Sequence, residues 1–363
     1  MSLLSASAVA ELVRPELRRL PLYHLDLEPC RFKLDQNEVP WELPRAVKAE
    51  ILRRLEAARF AAYPDFHADA LRRALGRFHG HPAEGVLVGN GSNELLRLVL
   101  EALAGPGREV LGALPGFGLY RMMIEASGGR ARFLGPNPEL AIPVAELEAE
   151  LERDPARPLL LCSPNNPTGE ALPPEVLERL LARLEAPLLL DNAYGEFCRH
   201  DYRPLLARHP QLVLFRTFSK AWSLAGLRLG YLLAAPELVA ELLKVKLPYN
   251  LGHAGAIAGE VVLEAAGTFA RRVEVLVRRR EDWRRMLLAR GFEVYPSEAN
   301  FLLARCPGGQ AERVLLGLAE AGIRVRDFSR GPGLAGCLRF SVGTGAALRA
   351  TAAALDRLQG GMP

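Results

Sequence analysis

Short, continuous apolar runs alternate with longer amphipathic stretches along the first two thirds of the chain. The longer stretches carry apolar residues at helical spacing, as at residues 94–104, 174–184 and 236–243. Continuous apolar runs separated by helices are typical of a mostly parallel sheet with helices on both faces. The pattern therefore predicts a large α/β domain over residues 45–250. Its strands are predicted at residues 85–88, 109–113, 159–162, 188–191, 213–217 and 229–233.

A different pattern begins near residue 251. Residues 252–290 have a long helical periodicity without proline, which predicts one long helix that joins the large domain to a second unit. The second unit is predicted to be a smaller α+β domain, formed by residues 251–363 together with an N-terminal arm, residues 1–44. Because no low-complexity linker separates the domains, we expect a ligand site in the cleft between them. The strands of this domain are predicted at residues 292–295, 300–304, 323–326 and 338–342, and its helices at residues 310–321 and 346–358.

Composition narrows the class of protein. The chain has 363 residues, of which 49% are hydrophobic and 24% charged, and its net charge is +4. These values are typical of a globular protein, and without a block of basic residues we expect no nucleic-acid partner. The N-terminal residues lack a basic leader and are interrupted by Glu11 and Arg14, so we expect neither a signal peptide nor a membrane span. The five cysteines form no C-x-x-C pair, so we expect a cytoplasmic protein without disulfides or a metal.

Asn90-Gly91-Ser92-Asn93-Glu94 follows a predicted strand and begins a predicted helix. Gly91 permits a tight turn, and the free backbone N–H groups at a helix N-terminus bind phosphate. The segment is therefore a candidate phosphate site. The alternative interpretation is that Ser92 is a plain helix N-cap.

The sequence S-P-N-N-P-T-G, residues 163–169, directly follows the strand predicted at residues 159–162. Two prolines and a glycine restrict this turn and hold Asn166 at the carboxyl end of the strand. Ligands of open α/β sheets bind at that edge. Because a plain turn does not need so many restricted residues, we favour a functional interpretation.

Asp191 ends the apolar run at residues 188–191 and is followed by Asn192-Ala193-Tyr194. Its carboxylate is predicted to lie partly buried at the carboxyl edge of the sheet, where it needs a partner. A cationic ring nitrogen of a ligand is one such partner, and Tyr194 is near enough to bind a second polar atom of that ligand. The alternative interpretation is that Asp191 caps a helix.

Lys220 follows the strand predicted at residues 213–217, at the same edge of the sheet. A lysine that is preceded by Ser219 and followed eight residues later by Arg228, within a loop of small residues, is difficult to explain by packing. Lysine forms Schiff bases when its amine is deprotonated, and burial and nearby cations favour that form. Arg228 supplies such a cation and a guanidinium fork for phosphate. Lysine occurs only at positions 33, 48, 220, 244 and 246.

In this order and spacing, the four segments resemble the fold-type-I pyridoxal-phosphate aminotransferases over nearly the whole chain. The resemblance rests on S-P-N-N-P-T-G, D-N-A-Y, the S-K pair and the arginine eight residues after it. It implies a pyridoxal 5'-phosphate cofactor that Lys220 holds as an internal aldimine. It also implies that Lys220 then moves a proton between the substrate α-carbon and the cofactor, and that Asp191 pairs with the pyridinium nitrogen.

The same resemblance implies roles for other residues. Asn166 and Tyr194 would hydrogen-bond the phenolate oxygen of the cofactor. Phe117, in P-G-F-G-L-Y, would stack on the ring, where relatives often carry tyrosine. Tyr63 matches a tyrosine that reaches the phosphate of the neighbouring subunit, which implies a homodimer with shared active sites. The phosphate would be held by Ser219, Arg228, Ser92 and the amide of Gly91.

Further segments resemble the histidinol-phosphate aminotransferase family within this class. Residues 34–40 match its L-x-x-N-E-N-P, although Val39 replaces an asparagine. Residues 297–301 match its S-x-A-N-F. Residues 324–327 and 337–344 match the pair V-R-D and L-R-x-x-V-G-T.

This family resemblance implies transfer of an amino group between glutamate or 2-oxoglutarate and histidinol phosphate or imidazole acetol phosphate, in histidine biosynthesis. Arg339 would bind a carboxylate or a phosphate through both arms of its guanidinium, and Arg326 would be a second clamp for the phosphate. Asn37 and Asn166 would also contact the substrate. The alternative for each arginine is a surface ion pair.

Other functions share much of this sequence pattern. Aromatic aminotransferases and threonine-phosphate decarboxylase carry most of these residues, and the departures at Val39 and Phe117 leave the side-chain preference open. A non-catalytic pyridoxal-phosphate-sensing domain of a transcription regulator is a different class of alternative. Such regulators carry an added DNA-binding domain, whereas about 40 residues precede the first domain here, without a helix-turn-helix pattern or a basic face.

Overall fold

Two β-sheets organise the chain in a computed structural model that describes residues 6–20, 22 and 28–360. In this part of the chain the larger sheet has seven strands and the smaller has five. The strands are β1 (Phe32–Leu34), β2 (Val86–Gly89), β3 (Glu109–Ala113), β4 (Arg130–Leu134), β5 (Leu159–Cys162), β6 (Leu188–Asp191), β7 (Leu212–Thr217), β8 (Gly230–Leu233), β9 (Glu293–Val294), β10 (Phe301–Arg305), β11 (Ile323–Asp327) and β12 (Cys337–Ser341).

Helices surround both sheets and connect their strands. The helices are α1 (Ala6–Glu11), α2 (Pro15–Arg18), α3 (Arg45–Glu56), α4 (Asp69–His79), α5 (Ser92–Leu103), α6 (Leu119–Ala126), α7 (Val144–Arg153), α8 (Pro174–Leu181), α9 (Arg203–Leu206), α10 (Pro236–Leu242), α11 (His253–Glu264), α12 (Ala266–Leu288), α13 (Ala311–Glu320) and α14 (Gly345–Gly360). Single 3-10 turns lie at Ala83–Gly85, Ala225–Leu227 and Pro307–Gly309.

The larger sheet is mostly parallel, as the apolar pattern predicts. Its order is β2-β8-β7-β6-β5-β3-β4, with β8 antiparallel to both of its neighbours and the other described pairings parallel. Strands β5 and β6 are buried on both faces, which is why their sequences are continuous apolar runs. All six strands predicted for this domain are confirmed to within one residue at each end.

The sequence pattern does not predict β4, the strand at one edge of the larger sheet. Its sequence is R-A-R-F-L, in which Arg130 and Arg132 are exposed and the other three residues are partly buried. An edge strand with one open side carries polar residues instead of an apolar run. It therefore has no clear strand signal in the sequence.

The carboxyl ends of β5, β6 and β7 form one edge of the larger sheet. Cys162 is paired with Asp191, and Asp191 with Phe215, so these parallel strands end at nearly the same level. The loops that follow the three strands therefore leave the sheet side by side. These loops carry Asn166, Tyr194 and Lys220.

The smaller sheet has the order β1-β11-β12-β10-β9. Its strands β9 to β12 overlap the four that the sequence predicts, whereas β1 is not predicted. β1 has only three residues, and it pairs in parallel with β11, where Phe32 lies opposite Ile323. This pairing brings the segment after β1, residues 35–38, to the cleft between the sheets. The domain boundaries at residues 45 and 250 stay a prediction.

The prediction of one long helix over residues 252–290 is wrong. Two helices, α11 and α12, meet at Ala265, whose φ of −95° and ψ of 16° depart from helical values. α11 packs against α3 and α4, whereas α12 packs against β9, β10 and α14. The break changes the direction of the chain, so that α11 and α12 can each pack against a different set of elements. Because alanine favours helix, the sequence gives no sign of it.

None of the described helices combines the length and the apolarity that a membrane crossing needs. Within the same residues, no group of three or more histidine, cysteine or acidic side chains is arranged to hold a metal ion. The five cysteines are free thiols.

Candidate active site

A cavity of about 550 Å³ opens where the carboxyl edge of the larger sheet faces the smaller sheet. Its walls include the ends of β5, β6 and β7, the segment after β1, and side chains from β11 and β12. The lining includes every residue that the sequence predicts for the site except Gly91 and Tyr63. The predicted residues that line it are Asn37, Ser92, Phe117, Asn166, Asp191, Tyr194, Ser219, Lys220, Arg228, Arg326 and Arg339.

Lys220 lies just beyond the end of β7, and its Nζ donates a hydrogen bond to the carbonyl oxygen of Gln36 at 2.8 Å. Burial, followed in size by the charge of Arg339, lowers the pKa of this amine from 10.5 to about 7. Glu38 opposes the shift. A large fraction of the amine is therefore neutral near pH 7, which is the form that attacks an aldehyde carbon.

Asp191 is buried at the end of β6 and begins no helix, so its interpretation as a helix cap is wrong. Its Oδ1 accepts a hydrogen bond from the backbone N–H of Ala193 at 3.1 Å. Its Oδ2 accepts one from the Tyr120 hydroxyl at 2.6 Å. Burial raises the pKa of the carboxyl group, while the Tyr120 hydrogen bond acts in the opposite direction.

Tyr120 is a site residue that the sequence interpretation missed. It lies on α6, is buried, and lines the same cavity as Asp191. The partner expected for the Asp191 carboxylate was a ligand, but the protein itself supplies one. The available signal was the closeness of Tyr120 in sequence to Phe117, a predicted site residue three positions earlier.

Ser219, Arg228 and the start of α5 form an anion cradle at one end of the cavity. Arg228 Nη1 donates a hydrogen bond to Ser219 Oγ at 3.2 Å. The N-cap of α5 is Gly91, with φ of 83°, so the interpretation of Ser92 as the N-cap is wrong. A Cβ atom at Gly91 would lie 2.9 Å from Arg228 Nη2, so a larger residue would push this cation away from the start of the helix. Free N–H groups beside a guanidinium fit a phosphate.

A hydrogen-bonded group of side chains forms another part of the cavity wall. Arg339 donates from Nη1 to Asn166 Oδ1 and from Nη2 to the carbonyl oxygen of Asp35, at 2.6 Å for the second contact. Asn37 Nδ2 donates to the Tyr194 hydroxyl at 3.0 Å. Burial raises the pKa of Tyr194, so its hydroxyl stays protonated. These contacts fix the positions of Asn166 and Tyr194 in the wall of the cavity that also contains Lys220.

Arg326 and Arg339 come from adjacent antiparallel strands. They are directly paired in the register of β11 and β12, and both line the cavity. Arg339 is buried, and its guanidinium lies against the rings of Phe301 and Phe328 at 5.1 and 5.2 Å. Because Arg339 is buried, a surface ion pair is the wrong interpretation for it, whereas the role of the partly buried Arg326 stays a prediction.

Tyr63 lies outside the cavity. Its side chain is 79% exposed and stacks on Tyr249, with ring centroids 4.4 Å apart. An exposed tyrosine is compatible with contact to another subunit, and that contact stays a prediction.

Comparison with known proteins gives a consistent result. Residues 31–355 match the protein family described as aminotransferase class I and II. The chain is 39% identical over 335 residues to a histidinol-phosphate aminotransferase of Gloeobacter violaceus, covering 92% of this chain and 93% of that protein. It is 38% identical to another of Roseiflexus castenholzii, covering 86% and 85%. Its fold matches a crystal structure of histidinol-phosphate aminotransferase from Sinorhizobium meliloti in complex with pyridoxal-5'-phosphate, with a TM-score of 0.86, 24% identity and 95% and 97% coverage.

Proposed function

The chain belongs to the class I and II aminotransferase family, and from that premise we propose that it is a pyridoxal-phosphate-dependent histidinol-phosphate aminotransferase. It transfers an amino group between glutamate or 2-oxoglutarate and histidinol phosphate or imidazole acetol phosphate. The relatives at 38% and 39% identity that carry this name span most of the chain. The active-site geometry supports the same conclusion residue by residue.

The donor groups of the cavity fit pyridoxal phosphate. Ser219, Arg228 and the N-terminus of α5 form a cradle for its phosphate. Lys220 Nζ is the amine that would bind its aldehyde carbon, and Asp191 would face its ring nitrogen. Phe117 lies partly buried in the lining, where its ring would stack on that of the cofactor. When bound, the cofactor supplies a conjugated ring that withdraws electrons from the substrate α-carbon.

Lys220 is proposed to carry the proton of the reaction. Its depressed pKa, about 7, means that the amine can both accept and release a proton near neutral pH. In this role Lys220 Nζ would take the proton from the substrate α-carbon. The hydrogen bond to the Gln36 carbonyl holds the amine inside the cavity.

Asn166 and Tyr194 are proposed to donate hydrogen bonds to the phenolate oxygen of the cofactor. Tyr194 is held by Asn37, and Asn166 is held by Arg339. The same Arg339 is proposed to bind the anion of the substrate, so substrate binding and cofactor geometry share one hydrogen-bonded group. Asn37 and Asn166 would therefore also contact the substrate.

The paired arginines are the observation that carries the substrate assignment. Arg326 and Arg339 face the same cavity as Lys220, from opposite positions on β11 and β12. A single guanidinium can bind the α-carboxylate of glutamate through two hydrogen bonds. A phosphate monoester carries more charge and a third oxygen, which a second guanidinium can bind. Two arginines therefore suit an enzyme that accepts both substrates in turn.

A homodimer is the proposed assembly, with Tyr63 at the cofactor phosphate of the neighbouring subunit. Exposed aromatic side chains contact one another here, because Tyr63 stacks on Tyr249 and Phe66 packs edge-to-face on the same ring. Patches of exposed aromatic and aliphatic residues are typical of protein interfaces. The proposed location of this biosynthetic enzyme is the cytoplasm, which suits a protein with five free cysteines.

A substrate panel tests the assignment. Purified protein with pyridoxal phosphate and 2-oxoglutarate is incubated separately with histidinol phosphate, threonine phosphate or phenylalanine, and glutamate and carbon dioxide are measured. We expect glutamate to form fastest with histidinol phosphate. Faster formation with phenylalanine would contradict the assignment and favour an aromatic aminotransferase. Release of carbon dioxide from threonine phosphate would favour the decarboxylase.

A further inference from the structure

Tyr120 is a buried cavity residue to which the proposed function assigns no role. Its side chain is 4% exposed, and it lies on α6 with its hydroxyl directed at the end of β6. The hydroxyl donates to Asp191 Oδ2 at 2.6 Å, one of the shorter hydrogen bonds within the cavity. Short hydrogen bonds to an ionised acceptor are about twice as strong as neutral ones.

We propose that Tyr120 is a positioning residue for the cofactor and acts by keeping Asp191 ionised and correctly oriented against the ring nitrogen. The proposal rests on the proposed function in one respect, the binding of pyridoxal phosphate at Lys220. It does not depend on which amine the enzyme accepts.

The charge state of Asp191 gives Tyr120 this role. A carboxylate in a buried place tends to take up a proton, and burial raises the pKa of Asp191. The Tyr120 hydrogen bond is the largest of the effects that lower it again, ahead of the Ala193 amide and the charge of Lys220. Burial and the neighbouring carboxylate raise the pKa of Tyr120 itself, so the phenol stays protonated and acts only as a donor.

The orientation of Asp191 depends on the same contact. Ala193 holds one carboxylate oxygen and Tyr120 holds the other, so the carboxylate plane is fixed at both ends. Each oxygen has two lone pairs, and therefore each can still accept a further hydrogen bond. A ring N–H of the cofactor can use that remaining capacity without displacing Tyr120.

Tyr120 also contacts the residue proposed to cover the ring. Phe117 packs edge-to-face against Tyr120, with centroids 5.4 Å apart and an angle of 80° between the rings. One side chain thus contacts both the partner of the ring nitrogen and the stacking group. Tyr120→Phe keeps the aromatic contact and removes the hydroxyl, so this variant isolates the effect on Asp191.

Tyr202→Phe is the matched control. Tyr202 is equally buried, at 1% exposure, and its hydroxyl makes two hydrogen bonds of 2.7 Å, to Ser163 Oγ and to the carbonyl oxygen of Leu172. It does not contact Asp191 and is absent from the cavity lining. The two variants therefore remove the same atom from equally buried places, but only one of them touches the proposed cofactor partner.

The measurement is the equilibrium dissociation constant of pyridoxal phosphate, titrated into cofactor-stripped protein, with thermal unfolding recorded for each variant. We expect Tyr120→Phe to raise the constant on the order of 10-fold, the usual effect of losing a hydrogen bond to a charged group. Tyr202→Phe should change it less than about twofold. If Tyr120→Phe folds poorly, Tyr120→His supplies an N–H donor in its place, and its constant should stay within about threefold of the wild type. A Tyr120→His variant that unfolds at the wild-type temperature but has a dissociation constant raised about 10-fold or more would overturn the proposal.

A double-mutant cycle tests whether Tyr120 acts through Asp191. In the Asp191→Asn background, the effect of Tyr120→Phe on the dissociation constant should disappear, because the charge that it supports is gone. An equal effect in both backgrounds, or none in either, would overturn the proposal. Failure of the wild-type protein to bind pyridoxal phosphate would instead contradict the proposed function, so the two failures are distinguishable.

Discussion

Arg326 lies directly opposite Arg339 across β11 and β12, and both side chains line the cavity that contains Lys220. Two like charges at adjacent positions repel one another unless an anion lies between or beside them. Because both guanidiniums line one cavity from adjacent positions, they can bind the same anionic substrate. We propose a division between them, in which Arg339 binds the carboxylate of glutamate and Arg326 is needed only for the phosphate of histidinol phosphate.

Arg326→Gln should reduce kcat/KM for histidinol phosphate on the order of 100-fold, because a charged contact to the phosphate inside the cavity is lost. The kcat/KM for glutamate should fall less than about threefold, since Arg339 still binds the carboxylate. Steady-state kinetics with each amine give both values. Arg305→Gln on β10 is the control, because Arg305 pairs with Glu293 and is not part of the cavity lining. Equal losses for both amines in Arg326→Gln would contradict the division.

The pKa of Lys220 predicts a pH-dependent stability of the cofactor-free protein. The folded state has a pKa of about 7 and the ordinary value is 10.5, so between these values the unfolded state binds more protons. The free energy of unfolding therefore rises with pH across this window. Lys220→Met removes this dependence on pH. Its free energy of unfolding should exceed that of the wild type, and this advantage should be largest below pH 7. That advantage should shrink on the order of 1 kcal/mol per pH unit above it.

Thermal and urea unfolding at pH 6.5 and pH 9, on cofactor-stripped proteins, measure this difference. Lys244→Met is the matched control, because Lys244 is exposed on the surface and pairs with Glu241. Its stability relative to the wild type should be the same at both pH values. A Lys220→Met advantage that does not change with pH would show that Lys220 is charged in the folded protein.

Gly91→Ala should weaken cofactor binding. The φ of 83° disfavours any residue with a Cβ, and the added atom would lie 2.9 Å from Arg228 Nη2. We expect the dissociation constant of pyridoxal phosphate to rise about 10-fold, by displacement of the guanidinium from the phosphate cradle. Gly105→Ala is the control, since its Cβ would meet no atom within 4 Å. An unchanged constant in Gly91→Ala would place the phosphate elsewhere.

The proposed sharing of active sites between subunits predicts complementation between Lys220→Ala and Tyr63→Ala. Lys220→Ala lacks the amine but keeps Tyr63, and Tyr63→Ala lacks the tyrosine but keeps Lys220. In a mixed dimer, one site would contain both intact residues, so an equal mixture should recover about a quarter of the wild-type activity after subunit exchange. Activity assays before and after mixing measure this recovery. No recovery, with exchange verified by mass spectrometry, would mean that Tyr63 does not serve the neighbouring site.

Much of this site could be predicted because its residues follow buried strands. Asn166, Asp191 and Lys220 come after three continuous apolar runs, and the carboxyl ends of parallel strands meet at one edge. The local sequence is therefore enough to predict that these three residues lie close together. Their grouping in one cavity confirms that part of the interpretation.

What the sequence could not predict depends on contacts between distant segments. Tyr120 contacts Asp191 across 71 positions, and neither residue carries a sign of the other. β1 has three residues and is a strand only because β11, nearly 300 positions later, offers an edge. The helix break at Ala265 follows from the different neighbours of α11 and α12. Each of these features arises from tertiary packing and leaves no periodic pattern.

The central claim is that Lys220 binds the cofactor covalently. The direct measurement is reduction of the pyridoxal-phosphate-loaded protein with borohydride, followed by proteolysis and mass spectrometry of the lysine-containing peptides. The predicted result is a reduced cofactor adduct on Lys220 and on none of the lysines at positions 33, 48, 244 and 246. An adduct confined to one of those four lysines, or a loaded protein that yields no adduct, would contradict the claim.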